Sequence, residues 1–191
     1  MVGQSQKLPQ RQNTEQKRGR QAWLNIQEIK GLSEAAKKFI ETAQNEKQKK
    51  KYRDILQEYD KLQQEYRSRA RELNAMIRIN GLGQTLGFLK AKGKNRVEDG
   101  RRKKNAPFYL LGHLSHWMHD HFDSSIPDAT EEKNDGLLDW VTRETTTNAD
   151  YRRATTECLA FGIWLSRFAE AELKDPDDTV TESSEAQGEQ L

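Results

Sequence analysis

The sequence lacks several features on which extracellular, membrane and nucleotide-hydrolysing proteins depend. Cys158 is the only cysteine among 191 residues, which excludes an intrachain disulfide and a zinc site built on cysteines. No apolar run approaches the roughly 18 residues of a membrane span, and the first twenty residues lack the apolar core of a secretory signal. No Walker-type Gly-Lys-Ser/Thr is present either. We therefore expect an intracellular, cytoplasmic protein.

Hydrophobic residues are also scarce. They make up 34% of the chain, charged residues make up 32%, and the mean hydropathy is −1.04. Such a composition leaves a thin core for the length, so part of the chain should be solvated helix or disordered. We predict a disordered tail over residues 1–14, one compact helical bundle over 15–174 and an acidic disordered tail over 175–191.

The formal net charge of +2 hides an uneven distribution. Residues 1–20 and 90–104 are strongly basic, whereas the chain after residue 170 is acidic. Such blocks favour a body that binds a polyanion, followed by an acidic tail. The run Arg101-Arg-Lys-Lys104 falls in a segment, Lys92–Asn105, that we predict to be an exposed loop. The run is either a solvated part of that loop or a phosphate contact.

Helical periodicity is the main structural signal. Apolar residues repeat at helical spacing over 15–30 and again after Ser33, which is predicted to cap a second, short helix. A third helix should run from about Glu46 to Ile79, because apolar residues recur there every seven positions: Tyr52, Tyr59, Tyr66 and Leu73. This stripe fits either a coiled-coil seam or a face packed inside a bundle, and tyrosine is a poor residue for a dimer seam.

Three further helices are predicted to open at Pro107, at Gly136, and at Asn148 or Asp150. The last of these has an apolar face that includes Cys158 and Gly162, the glycine leaving room for a neighbouring helix. No strand pair is evident. The sequence therefore predicts an all-α fold, a bundle of about six helices.

Three glycines interrupt an apolar stretch between the long helix and the basic segment. Gly81, Gly83 and Gly87 follow Asn80, and Gly83 and Gly87 lie four residues apart, so on a helix they open one face that carries no side chains. A glycine inside a helix costs about 1 kcal/mol relative to alanine, which indicates a backbone that approaches something closely. That neighbour is either another helix of the same chain or an external partner such as RNA or another subunit.

All four histidines fall within residues 113–121. At about 100° per residue, His121 lies on the apolar side of a helix, whereas His113, His116 and His119 spread over the other side. The four side chains cannot converge on one ion, so we predict no metal site. Cys158 is predicted to be a core residue rather than a nucleophile. We expect no enzymatic activity and no cofactor.

Two segments carry a family resemblance. Asn80-Gly-Leu-Gly-Gln-Thr-Leu-Gly-Phe-Leu-Lys-Ala-Lys-Gly93 and the helix that opens Tyr151-Arg-Arg-Ala-Thr155 resemble the small subunit of type III-B CRISPR effector complexes, the Cmr complexes. An N-terminal helix with Arg18 and Ala22 also fits the family. Residues 31–51 resemble an insertion or elongation relative to the family, and the histidine-rich helix matches no family motif.

The resemblance implies a non-catalytic, all-helical subunit whose copies stack into a filament. That filament would line the groove in which CRISPR RNA pairs with target RNA, beside the other subunits of the complex. The residues that the resemblance proposes for contact with RNA or with subunits are Arg78, Gln84, Lys90, Lys92, Arg152 and Arg153, followed by Arg18 and Arg20.

Two other classes of function stay open at this point. A stand-alone helical protein–protein adaptor would use the Tyr52–Leu73 stripe to bind a partner helix. A metal-dependent hydrolase would use His113, His116 and Asp120.

Overall fold

The computed structural model describes residues 13–98, 100–130 and 132–175. The predicted tails fall mostly on residues 1–12 and 176–191, which lie outside the described residues. The described chain forms six α-helices and one β-hairpin: α1 (Thr14–Thr42), α2 (Glu46–Asn80), α3 (Leu82–Lys92), β1 (Asn95–Glu98), β2 (Arg101–Lys104), α4 (Ala106–His121), α5 (Gly136–Val141) and α6 (Asn148–Glu172). The all-α fold class and the number of helices are confirmed.

Helix α2 lies at the centre of the bundle, packed against α1, α3, α4 and α6. The stripe predicted from its sequence is its buried face, which includes Leu62, Tyr66, Leu73 and Ile77. Tyr66 is fully buried, and its hydroxyl meets Nδ1 of His113 on α4 at 2.7 Å. The stripe therefore packs against other helices of the same chain, which confirms the interpretation as a bundle. The adaptor alternative assigned this stripe to a partner helix, and the stripe is not available for that role.

The first helix is one element, not two. The prediction of a break before Ser33 is wrong, because α1 continues through Gly31 and Ser33 to Thr42. Ser33 is buried against α2, and its Oγ accepts a hydrogen bond of 2.7 Å from Nε2 of Gln63. Tertiary packing on α2 therefore overrides the weak helix propensity of these two residues. The true amino-terminal cap is Asn13, which forms a reciprocal capping box with Gln16.

The segment predicted to be an exposed loop contains an antiparallel hairpin. Asn95 pairs with Lys104 and Glu98 with Arg101, and Gly100 turns the chain at a φ of +71°. An isolated two-stranded hairpin is marginal in water. Here Asn105 closes its base, accepting from the amide of Lys94 at 2.7 Å and donating to the carbonyl of Lys92 at 2.8 Å. The prediction of no strand pair is therefore wrong.

The last helix packs its apolar face into the core as expected. Cys158, Phe161 and Leu165 are fully buried, and the Phe161 ring stacks on Trp117 of α4 with centroids 4.7 Å apart. A Cβ at Gly162 would collide with the Asn74 side chain of α2, so this glycine does make room for a neighbouring helix. The predicted cap residues are wrong: Thr147 caps α6, accepting from the amide of Asp150 at 3.1 Å.

No helix among the described residues is both long enough and apolar enough to cross a membrane.

Gly136 provides a test of how the start of α5 packs against the segment at Pro127. A Cβ there would collide with the backbone carbonyl of Pro127, which cannot move like a side chain. We expect Gly136→Ala to lower the free energy of unfolding by about 1–3 kcal/mol, measured as a shift in the urea midpoint.

Gly31→Ala is the matched control, since nothing lies within 4 Å of a Cβ at that position inside α1. It should raise the free energy of unfolding by about 0.5–1 kcal/mol through helix propensity. Equal destabilisation by both changes would contradict the packing described for α5.

Candidate interaction surface

Gly81 forms the corner between α2 and α3. Its φ of +84° lies in the region that favours glycine, so a side chain there would be strained. The Gly81 amide donates to the carbonyl of Ile77 at 2.9 Å and thereby ends α2. The Gly81 carbonyl accepts from both the amide and the hydroxyl of Thr85, at 3.1 and 2.9 Å, and thereby begins α3. One glycine thus serves two helices.

Tyr151, near the start of α6, reaches this corner from the opposite side. Its hydroxyl accepts a hydrogen bond of 2.9 Å from the amide of Gly83, which caps a helix whose own cap residue has no side chain. A Cβ at Gly83 would lie 3.6 Å from that hydroxyl oxygen. The close neighbour predicted for the glycine face is therefore, at Gly83, a helix of the same chain.

Gly87 is different, because nothing lies within 4 Å of a Cβ built there. Two large apolar side chains are exposed on the same two helices: Ile79 is 82% exposed and Phe88 is 36% exposed. The guanidinium of Arg69 lies 5.6 Å from the centroid of the Phe88 ring. We call Ile79, Gly87 and Phe88 the apolar corner. The core faces of α2 and α3 lie elsewhere, so the apolar corner has no part in the core, and its contact with the rest of the chain is that of Phe88 with Arg69.

Three of the polar residues singled out in the sequence lie beside this corner. Arg78 lies in the last turn of α2 and Gln84 in the first turn of α3, and both are exposed. Arg152 is exposed and directly follows Tyr151, so the hydrogen bond from Gly83 to Tyr151 brings it to the same end of the bundle. We call Arg78, Gln84 and Arg152 the basic rim.

Arg153 is held against its own chain. It lies 3.3 Å from Asp150 and its guanidinium lies 5.4 Å from the centroid of the Phe122 ring.

Lys90 and Lys92 lie at the other end of α3, with Lys92 about 12 Å along the helix from Gln84. Lys92 is exposed, whereas Lys90 makes an ion pair of 2.7 Å with Asp135. Partial burial is the largest single effect and raises the pKa of the Asp135 carboxyl, but the hydrogen bond from Lys90, a backbone hydrogen bond and the charges of Lys90 and Lys133 together lower the net pKa. The two lysines are thus not equivalent: of the two, only Lys92 makes no ion pair with another described residue.

The family model described as CRISPR-associated protein (Cas_Cmr5) matches residues 14–172. This chain belongs to the Cmr5 family. Membership of the family implies a subunit of a type III-B Cmr complex, which works together with other subunits. The resemblance seen in the sequence is thereby confirmed.

A solved structure agrees with the Cmr5 assignment at the level of the fold. It is the X-ray crystal structure of a CRISPR-associated Cmr5 family protein from Thermus thermophilus, which is 20% identical in sequence and superposes with a TM-score of 0.51. The match covers 85% of this chain and 100% of that one.

Arg18, which the Cmr5 resemblance also proposed for contacts, is engaged inside the bundle. Its Nε and Nη2 donate to the Glu157 carboxylate at 2.9 and 2.6 Å, and it also pairs with Glu15. Trp117 donates to the same carboxylate at 2.9 Å, so Glu157 joins α1, α4 and α6. Arg20, by contrast, is exposed and makes no salt bridge with another described residue. The structure therefore does not bring this pair of arginines to the basic rim.

The four histidines of this Cmr5-family chain have separate partners. His113 also lies 3.2 Å from Glu28, His116 lies 2.8 Å from Asp128, His119 lies 2.6 Å from the carbonyl of Ile126, and His121 stacks on Trp117. No group of three or more His, Cys, Asp or Glu residues in the described ranges could hold a metal ion.

The apolar face of the histidine helix is buried as expected, with Leu111, Leu114 and Met118 in the core, but the placement of two histidines was predicted wrongly. His113 is only 7% exposed, because α4 is covered by α2 on the side that the helical projection assigned to solvent, whereas His121 is exposed. The three residues of the hydrolase alternative do not converge either. His113 contacts Tyr66 and Glu28, whereas His116 contacts Asp120 and Asp128. Cys158 is fully buried and burial raises the pKa of its thiol, so it is a core residue as predicted.

Sequence reasoning missed the role of Tyr151 and the exposure of the apolar corner. A signal was present for Tyr151, because it lies just before two arginines in the motif that carries the resemblance. A signal was present for Ile79 as well, because Ile77 continues the helical spacing of the buried Tyr66 and Leu73, whereas Ile79 lies two residues further on and on the other side of α2.

The Arg18–Glu157 pair generates a prediction on stability. Partial burial raises the pKa of Glu157, but hydrogen bonds from Arg18 and Trp117 outweigh it and the net pKa is lowered. A carboxyl with a lowered folded pKa stabilises the protein above its unfolded pKa and loses that effect as the pH falls through the folded pKa. We expect Arg18→Met to lower the free energy of unfolding at neutral pH by about 1–3 kcal/mol.

The difference in the free energy of unfolding between Arg18→Met and the unchanged protein should become smaller in acid, below the ordinary glutamate pKa of 4.5. Urea unfolding at neutral and acidic pH measures both effects. The control is Arg20→Met, which should change the free energy of unfolding by less than about 0.5 kcal/mol. A loss of stability that is the same at both pH values would contradict the assignment of the pair.

Proposed function

We propose that this chain is the non-catalytic small subunit of a type III-B CRISPR RNA-guided effector ribonucleoprotein, acting in antiviral defence in the cytoplasm. Copies of it stack as a helical filament that lines the groove of CRISPR RNA and target RNA. Family membership supports the complex, and one structural observation supports the finer role: the glycine-rich segment leaves an apolar corner and a basic rim that the bundle itself does not use.

The apolar corner supports subunit contact. Ile79 and Phe88 are exposed beside a glycine with no neighbour, so another backbone can approach closely there. Large apolar side chains that are exposed on neighbouring helices favour a protein interaction site. Head-to-tail stacking needs a second, different surface, for which we propose the acidic carboxy-terminal region. Glu172 and Asp175 already pair with Lys30 and Arg67, so that role would fall to residues 176–191.

The basic rim supports contact with RNA. Arg78 and Arg152 are exposed and make no salt bridge with another residue of the described chain. Arginine contacts phosphates without reading sequence, which suits a subunit that must accept any guide. An RNA duplex is met mainly through its shape and backbone, since side chains cannot read its deep, narrow groove.

The buried network also supports a non-catalytic role. The histidines and Cys158 are used for packing and for hydrogen bonds inside the bundle, and no open coordination position is built from the described residues. The neighbouring subunits of the complex would then perform the chemistry.

The contact with RNA is tested by reversing charge at the basic rim. We expect Arg78→Glu/Arg152→Glu to weaken binding of single-stranded and duplex RNA by the assembled complex and to lower the salt dependence of that binding. Filter binding across a salt series measures both quantities.

Lys47→Glu/Lys50→Glu is the matched control, since it reverses two exposed charges at the distant start of α2. An equal loss in both variants would mean that overall charge, rather than the rim, governs binding. Unchanged binding in the rim variant would contradict the proposed contact.

The stacking contact is tested by filling the open glycine. Gly87→Gln adds a side chain that keeps a close partner away, while improving helix propensity by about 0.5–1 kcal/mol. We therefore expect an intact fold but weaker self-association and weaker incorporation into the complex, measured by analytical ultracentrifugation and co-purification.

Gly31→Gln serves as the control, because its site is equally open but lies on α1 away from the apolar corner. Removing residues 176–191 tests the second surface in the same assay. Undiminished association of Gly87→Gln would contradict stacking through this corner.

A further inference from the structure

Two clefts meet beside the β-hairpin, and both include Lys104 and Tyr109 in their walls. The first, of about 350 Å³, lies between the hairpin and α2 and is lined by five further cationic side chains: Lys61, Arg96, Arg101, Arg102 and Lys103. We call it the basic cleft. The second, of about 380 Å³, lies between α1 and α4 and is lined by amide side chains: Gln21, Asn25 and Asn134. We call it the amide cleft.

The basic cleft carries more positive charge than its own carboxylates balance. Glu58 pairs with Arg101 at 3.1 Å and with Lys103 at 2.8 Å, and partial burial of Glu58 does not prevent these bonds from lowering its pKa. With Glu98 and Glu132, three carboxylates pair with four of the six cationic side chains. Lys61 and Lys104 make no salt bridge with another residue in the described ranges. The excess charge favours an anionic occupant.

Polar groups with unmet hydrogen bonds lie along both clefts. Asn25 is only 4% exposed; its Oδ1 accepts from Gln21 at 3.0 Å, but its Nδ2 has no partner among the described residues. The Nε of Arg101 is likewise buried without one. Buried polar atoms in folded proteins nearly always have a partner in the protein or in ordered water, and these two donors belong to residues that line the clefts.

Flat side chains stand where the two clefts join. The ammonium of Lys104 lies 5.6 Å from the ring centroid of Phe108 and 5.7 Å from that of Tyr109. Aromatic rings next to cationic side chains are the combination on which proteins stack the bases of single-stranded nucleic acids.

We propose that the two clefts together bind a nucleotide, with its phosphate in the basic cleft and its base in the amide cleft beside Tyr109. Cationic side chains make strong, charge-assisted hydrogen bonds to phosphate. Amide side chains can hydrogen-bond with base edges; because the amide groups of Gln21 and Asn134 already donate to Asn25 and to the carbonyl of Phe108, they would do so through their oxygens, beside the carboxylate of Glu28. The volumes lie at the lower end of the range for small-molecule sites, which suits one nucleotide. An acidic peptide would occupy the basic cleft but has no base for the amide cleft.

This site is separate from the basic rim and goes beyond the proposed function. Lys61 precedes Arg78 by 17 residues on the same helix, which places them about 25 Å apart. The nucleotide would come either free or as part of a single strand that continues past the hairpin, and the experiment distinguishes these two sources.

The first test is local to the amide cleft. Adenosine monophosphate is titrated into the full-length chain while the histidine ring signals are followed by NMR. We expect a saturable shift of the His116 signal, because His116 lines the amide cleft, and a much smaller shift of His121, which does not. No saturable shift at His116, or equal shifts at both histidines, would overturn the proposal.

The second test uses charge. Lys61→Met/Lys104→Met should remove two phosphate contacts, whereas the control Lys37→Met/Lys38→Met removes the same charge from exposed positions on α1. For a short single-stranded RNA, the slope of log K against log salt should fall by about 1.4 in the cleft variant, about 0.7 per contact, and stay unchanged in the control. Equal slopes in the two variants would overturn the assignment of the phosphate site.

Further binding measurements distinguish a single strand, a free nucleotide and a general polyanion as the occupant. A strand that binds more tightly than adenosine monophosphate identifies the source as a single strand, and the reverse identifies a free nucleotide. An abasic strand should bind more weakly than its parent. Binding of the abasic strand or of polyglutamate as tightly as the parent would show a general polyanion surface and overturn the nucleotide assignment. The Arg78→Glu/Arg152→Glu variant should keep the His116 shift, so failure at the basic rim and failure at the clefts are distinguishable.

Discussion

The turn at Gly81 is the constraint on which the surface of this protein depends. With a positive φ, this residue ends α2 and begins α3 in a single step, so the leucines of α3 point back to the core and pack on α4. Gly87 and Phe88 then lie on the side of α3 away from the core, whereas Ile79 is exposed because it lies off the buried stripe of α2. The turn also presents the amide of Gly83 to Tyr151 and thereby fixes the start of α6 beside α3. A residue with a side chain at Gly81 would strain the corner and shift all three helices.

Pairing inside the chain decides which of its many charges are available to partners. Arg18, Lys90, Arg101 and Lys103 each have a carboxylate partner within 3.2 Å, so these cations hold helices and the hairpin together. Arg78, Arg152 and Lys61 have no such partner in the part of the chain that the structure describes. Surface ion pairs contribute little to stability, but a paired cation must still give up its carboxylate before it binds another anion. The unpaired cations are therefore the better candidates for binding an anion. Composition alone does not separate the two groups.

Most of the helices could be predicted because their apolar periodicity is strong. The predicted long helix, Glu46 to Ile79, ends one residue short of α2, since the stripe through Leu62, Tyr66 and Leu73 repeats without interruption. Where local signals conflict with tertiary packing, prediction failed. Gly31 and Ser33 resemble a helix break, yet burial of Ser33 on α2 carries α1 through both. The hairpin was missed because its strands are charged and carry no alternating apolar pattern; its partners come from Glu58, distant in sequence.

The candidate surface was only partly predictable for the same reason. The glycine spacing indicated a close approach, but it could not show that Gly83 meets Tyr151 while Gly87 meets nothing. The family resemblance proposed Arg78 and Arg152 for contacts and proposed Arg18 as well, but Arg18 is engaged in an internal ion pair with Glu157, which lies 139 residues away in the sequence. The buried side of α4 depends on which helices cover it, and this placed His113 rather than His121 inside.

The central claim is that the glycine-rich corner faces RNA and neighbouring subunits in an assembled complex. Photo-crosslinking of thiouridine-substituted target RNA in that complex, followed by mass spectrometry of the crosslinked peptides, tests it most directly. We expect crosslinks to this subunit in peptides that contain residues 78–84 and 151–153. Crosslinks confined to α5 and the first turns of α2, with the corner unlabelled, would contradict it.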